Sequence, residues 1–203
     1  MNMIKNIGIL LAVFFSHTLK AQDCEYLTNE RDDFTGDLKQ IVKSQIYKNK
    51  TYQEAHLIIK RINNEYTIQI EHFNSTLLLA EPFSYSAEAD DKLMLKLNDN
   101  SVLQFPLKSE FCHSRSEQEE HGVQIAMGGW ANFTKKNKII FEPEFVAEPG
   151  QLEDLAIKEI VKVRIEAKGS NIHTREPVEN LEFSIDNPIY REQVKEKVKC
   201  ILL

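Results

Sequence analysis

The chain has 203 residues, 42% hydrophobic and 28% charged, with a formal net charge of -6. That apolar share supports a packed core and excludes a disordered chain. Glycine and proline, at 7 and 6, are too scarce for collagen-like or low-complexity sequence, and the acidic balance argues against a protein built to grip nucleic acid.

The first residues read MNMIKNIGILLAVFFSHTLKAQ. Lys5 gives a positive start, Ile7 to Phe15 an apolar run, and Ser16 to Lys20 a polar stretch before the small residue Ala21. This is the layout of a secretory signal peptide. The run is well short of the ~20 apolar residues that a bilayer span needs. Cleavage is expected after Ala21, leaving a signal peptide over 1–21 and one β-rich domain over 22–203. Gln22 and Asp23 precede Cys24 where lipid attachment wants small residues, so the mature protein is read as exported without a lipid anchor, periplasmic or secreted. Losing the leader removes Lys5 and Lys20 and no acid, which makes the chain still more acidic.

Cys24, Cys112 and Cys200 all follow the leader. An oxidising compartment permits one disulfide among them. Cys24 with Cys200 is the pairing we favour, tying an N-terminal strand to the last helix. Three reduced, buried thiols are the alternative.

Glu25–Phe34 and Leu38–Tyr47 carry weak extended patterns around a turn at Thr35-Gly36. His56–Ile62 is rich in β-branched residues, Asn63-Asn64 suits a tight turn, and Tyr66, Ile68 and Ile70 alternate with polar residues. This predicts a hairpin. Leu77–Phe83 is read as a further strand. Leu93, Leu95 and Leu97, the turn Asn98-Asp99-Asn100, and Val102, Leu103 and Phe105 predict a second hairpin, stopped by Pro106. His113–His121 is very polar and reads as a loop or a short exposed helix. Val123–Phe133 is apolar, with a bend at Gly128-Gly129. Lys135–Lys138 is read as a polar turn, short strand pieces follow at Ile139–Phe141 and Phe145–Ala147, then a helix near 151–158. Ile160, Val161, Val163 and Ile165 predict a strand, Lys168-Gly169-Ser170 a turn, and Leu181, Phe183 and Ile185 a last strand. Asn187 as N-cap, Pro188 at the first helical position and an apolar stripe through Tyr190, Val194, Val198 and Ile201 predict a C-terminal helix near 188–202. The fold class is therefore α+β, mostly β: an antiparallel sheet or sandwich with a packed C-terminal helix.

Chemistry is sparse. The chain has no G-x-S-x-G elbow, no S-x-x-K, no phosphate-binding G-x-x-x-x-G-K, no H-E-x-x-H and no C-x-x-C. One local constellation stands out: on a helix, His113, Glu117 and His121 would share one face and suit a divalent metal such as zinc. A solvated acidic loop is the plainer reading of the same residues. No other cofactor is expected. Trp130 after two glycines, with Phe83 and Tyr85 near Pro82, forms either a contact surface or core. Arg164 binds a carboxylate or sits on the solvent face of its strand. Asn49, Asn74 and Asn132 open N-glycosylation patterns, relevant only in a eukaryotic secretory route.

The leader ending Leu19-Lys20-Ala21-Gln22, the segment Asp32-Asp33-Phe34-Thr35-Gly36, and the late run Leu152, Leu155, Ile160 and Val163-Arg164-Ile165 before a terminal helix resemble a loose group of small secreted proteins of Bacteroidetes-type bacteria. The resemblance implies export and a β-rich fold. It transfers no catalytic residue.

Three functions are weighed. The first is a non-enzymatic binding or interaction module of the cell envelope, its partner an envelope protein or a small ligand. The second is a carrier of a small lipid-like ligand in an internal cavity lined by Phe73, Phe105, Phe133 and Phe141. The third is a metal-binding protein or hydrolase using His113, Glu117 and His121.

Overall fold

The computed structural model describes residues 24–49, 53–75, 83–124, 130–172 and 174–203, without the side chains at 75, 118–124 and 130–137. The expected leader, the stretch 77–82 of the expected strand Leu77–Phe83 and the expected bend at Gly128-Gly129 lie outside the described residues. The elements are β1 (Thr28–Arg31), β2 (Leu38–Lys48), β3 (Gln53–Ile62), β4 (Glu65–Ser75), β5 (Phe83–Glu88), β6 (Lys92–Leu97), β7 (Val102–Pro106), β8 (Phe111–His113), β9 (Arg115–Gln124), β10 (Trp130–Phe141), β11 (Glu144–Ala147), α1 (Pro149–Ile157), β12 (Ile160–Asn171), β13 (Pro177–Ser184) and α2 (Pro188–Leu202).

The strands form two antiparallel sheets. Sheet A runs β1-β2-β3-β4-β10-β9, with β11 also on β4, and sheet B runs β7-β6-β12-β5-β8, with β13 also on β12. Several strands are halves of one lane. β6 pairs the first part of β12 and β5 the second; β10 and β11 share β4 in the same way. The α+β, mostly β class read from the sequence is the class observed.

The hairpins follow from period-two alternation and turn chemistry. In β3–β4 the inward set includes Leu57, Ile59, Ile68 and Ile70, all at most 1% exposed. Asn63 takes φ 56° in their turn and accepts Leu38 N–H at 2.8 Å through its side chain. In β6–β7, Asn100 takes φ 67° and Asp99 accepts Ser101 N–H at 2.9 Å. Leu93, Leu95, Leu97 and Phe105 face inward. Burying each such side chain contributes about 1.5–3 kcal/mol.

Three segments depart from expectation. Lys135–Lys138 is not a turn but lies within β10, paired to β9. His113–His121 is neither helix nor loop: β8 ends at His113 and β9 begins at Arg115. Local polarity hid the strand, because its partner is distant. The register sets Glu117, Glu119 and Glu120 opposite Lys138, Lys136 and Lys135, and opposite charges favour such pairs. Lys168-Gly169-Ser170 is not a turn but lies within β12. A Cβ at Gly169 would stand 2.8 Å from the Tyr85 ring, so glycine there lets that ring lie against the strand.

Helix α2 forms as expected. Asn187 Oδ1 accepts Ile189 N–H at 3.0 Å, and Pro188 follows it. Val194, Val198 and Ile201 are buried with the inward residues of both sheets in one core. Its last carbonyls are also capped: Tyr26 O–H donates to Cys200 O at 2.7 Å and Arg61 Nη1 to Ile201 O at 3.2 Å. Cys24 and Cys200 form a disulfide, with Cα atoms 5.6 Å apart. Cys112 is free and half-buried, and burial raises its thiol pKa. No described helix is long and apolar enough to cross a membrane.

Candidate functional site

A polar concavity lies where β2 ends and β3 begins. It is an open cleft of about 420 Å³, and its lining includes Tyr47, Gln53, His72, Tyr85, Asn180 and Phe183. Each reaches it by strand geometry. Tyr47 follows a bulge after Gln45 in β2, and its ring meets that of Phe183 on β13 at 5.2 Å. His72 continues the inward set Ile68, Ile70 of β4 and is 4% exposed. Its ring stands edge-on to Tyr85, 6.2 Å between centroids at 86°. Tyr85 packs in turn on Phe141 at 5.6 Å.

Asn49 ties two of the lining residues, Tyr47 and Gln53, together. Asn49 Nδ2 donates to Gln53 Oε1 at 2.8 Å and to the Tyr47 hydroxyl at 3.2 Å, while Asn49 Oδ1 accepts Gln53 N–H at 2.9 Å. Tyr85 is held at its backbone: its N–H donates to Ser114 Oγ at 2.8 Å and its carbonyl accepts Ser114 N–H at 2.8 Å. Ser114 is the residue at which the chain leaves sheet B for sheet A.

The electrostatics are neutral to acidic. Burial alone brings the His72 imidazole down to about 4, so it carries no charge near neutral pH. Burial pushes the Tyr85 hydroxyl up to about 12, so it stays a hydrogen-bond donor. Among the described residues no lysine or arginine lines the cleft, while Glu179 and Glu182 of β13 do, Glu182 with its carboxylate paired to Lys162 and Arg164. Such a site takes an uncharged or cationic ligand with a flat apolar face and hydrogen-bonding groups.

The residues named from the sequence are scattered. His113 stacks with Phe111, centroids 5.1 Å apart, at the end of β8. Glu117 sits on β9 beside Arg115, 3.1 Å away. His121 belongs to β9 and Trp130 begins β10, but their side chains lie outside the described residues. The helical face that would have joined His113, Glu117 and His121 is replaced by strand. Among the described residues no group of three histidine, cysteine, aspartate or glutamate side chains comes together. Of the aromatics named with Trp130, Phe83 and Tyr85 both line the cleft. Of the four phenylalanines named for a cavity, Phe105 and Phe141 are solid core. Phe73 lies under Lys138 Nζ, 3.5 Å from its ring centroid, and the Phe133 side chain lies outside the described residues. Arg164 pairs with Glu182 on the outer face of sheet B. Asn74 is 1% exposed, out of reach of a glycosylating enzyme in the folded protein.

His72 was missed, although its signal was legible. It stands two residues beyond Ile70 on the inward side of an alternating strand, where a polar residue is out of place. No family model matches this chain, and no curated protein or solved structure matches it.

Proposed function

We propose that this protein is exported to the cell envelope of a Bacteroidetes-type bacterium and acts there as a non-enzymatic binding module, with the cleft of Tyr47, His72, Tyr85 and Phe183 as its contact site. The observation that carries the reading is the aromatic-walled, neutral-to-acidic cleft itself, concave and polar in a protein whose described core is otherwise packed with apolar side chains. The leader-like N-terminus and the Cys24–Cys200 disulfide support export, since disulfides persist in oxidising compartments. The carrier of a small ligand stays as the second reading. The cleft's volume of about 420 Å³ falls within the usual range of small-molecule sites, although it opens to the surface.

NMR titration of residues 22–203 with fractionated envelope extract tests the binding reading. Shifts confined to Tyr47, His72, Tyr85 and Phe183, and lost in Glu179→Arg at the rim, are expected. Binding elsewhere, or no binding, sinks it. Expression of the full chain in a Gram-negative host tests export. A periplasmic product beginning at Gln22 is expected, and an uncleaved cytoplasmic chain refutes it.

A further inference from the structure

On the outer face of sheet B, Met94, Lys96, Val102, Lys162 and Arg164 line an open groove of about 290 Å³. Its floor is apolar, with Val102 49% exposed. Glu182 pairs with both Lys162 and Arg164. Lys96 adds a third cation, so the groove keeps an excess of positive charge on a chain whose net charge is -6.

The turn between β1 and β2 carries the opposite pattern. Phe34 is 100% exposed at its tip. The turn is built to hold it there. Asp32 Oδ1 accepts the N–H groups of Phe34 and Thr35 at 2.8 and 2.7 Å, and Asp32 O accepts Gly36 N–H at 2.8 Å. Gly36 takes φ +76°, where a side chain would be strained. Asn63 Nδ2 donates to Asp37 Oδ1 at 2.8 Å, pinning the turn to the β3–β4 hairpin. Asp32, Asp33 and Asp37 flank the ring with no cation among them; Arg31 and Lys39 stand back on the strands.

We propose that the β1–β2 turn of one copy docks in the β6–β7–β12 groove of a second copy, with Phe34 covering Met94 and Val102 while Asp32 and Asp33 meet Lys96, Lys162 and Arg164. Burial of the ring supplies affinity, and charge complementarity supplies orientation. The occupant is a second copy because the turn is fixed to sheet A, whereas the groove lies on the outer face of sheet B. Turn and groove are different surfaces, so the contact is head-to-tail and builds a chain or a ring.

Sedimentation of residues 22–203 over a range of concentrations, at low and high salt, tests this. Concentration-dependent association that salt weakens is expected, since exposed charges are screened over about 10 Å at 0.1 M. Asp33→Lys with Phe34→Ser should weaken it about tenfold or more, and so should Lys162→Glu with Arg164→Glu. These residues lie outside the core, and circular dichroism checks that both variants fold. The two variants mixed should form a one-to-one complex and nothing larger, because each supplies the half the other lacks. A wild-type monomer at every concentration, association that either variant retains, or a mixture that stays monomeric overturns the proposal.

Discussion

Between β7 and β11 the two sheets meet through main-chain contact. Lys108 N–H donates to Glu144 O at 2.8 Å, and Leu107 bridges Phe145. The Glu144 carboxylate then gathers Thr67 Oγ1 at 2.7 Å, Lys60 at 3.0 Å and Lys108 at 3.2 Å. Burial would raise its pKa, but these three donors outweigh it and hold it below the usual range. On the side of β2 and β13 no such ladder forms among the described residues. There the seal is α2, which packs chiefly on β2, together with the Cys24–Cys200 bond and the Lys197–Glu25 pair at 2.8 Å. A backbone seal leaves no gap and depends little on side-chain identity. A side-chain seal depends on every residue in it, and beside it, where Tyr47 meets Phe183, the cleft opens.

The largest effect should come from the covalent part of the helix seal. Reduction, or Cys200→Ser, should cost about 3–5 kcal/mol in denaturant unfolding, because the bond closes a loop between residues 176 apart. Hydrogen exchange on the reduced protein should quicken in α2 while Leu107 and Lys108 stay protected. Equal loss of protection on both sides would erase the distinction between the seals. Ile201→Ala, with a 0% exposed side chain on α2, should cost about 2–4 kcal/mol by calorimetry.

His72 gives the pH test of the open side. Its pKa is about 4 when folded against 6.5 in a free histidine, so the unfolded chain binds the proton more readily. Its contribution is complete above pH 6.5 and lost as pH falls toward 4, by up to roughly 3 kcal/mol. His72→Phe should flatten that window in pH-dependent unfolding; an unchanged slope would show that other groups set it. Glu71 answers at lower pH on the outer face of sheet A. Burial opposes its charge, but His56 and Lys43 outweigh it and bring the carboxyl down to about 2. Its contribution is present above pH 4.5 and lost as pH falls from there toward 2. The smallest effect is Asn187→Ala, which removes the α2 cap and should cost about 1 kcal/mol of thermal stability.

The helix seal was largely legible in the sequence. Asn187, Pro188 and the stripe through Val194, Val198 and Ile201 are local signals, and Cys24 with Cys200 was the favoured pairing. The hairpins β3–β4 and β6–β7 were legible for the same reason: alternation and turn residues sit within a dozen positions. The strands of the other seal, β7 and β11, were legible too, but their contact across the sheets was not, because it joins residues far apart in the chain. Strand β9 was hidden: it is polar over most of its length, and only lysines some fifteen to twenty residues later make sense of its acids. The cleft was less legible still, because Tyr47, His72, Tyr85 and Phe183 come from four strands and share no motif. Phe83 and Tyr85 were noticed as aromatics of uncertain use; that they line one cleft with His72 depends on how β5, paired to β12 in sheet B, lies against β4 of sheet A.

The bond between Cys24 and Cys200 makes nearly the whole described chain one covalent ring. A protease that cuts any loop between those two residues opens the ring without releasing a piece. A molecule nicked in this way would run as a single species until reductant is added, and only then separate into fragments.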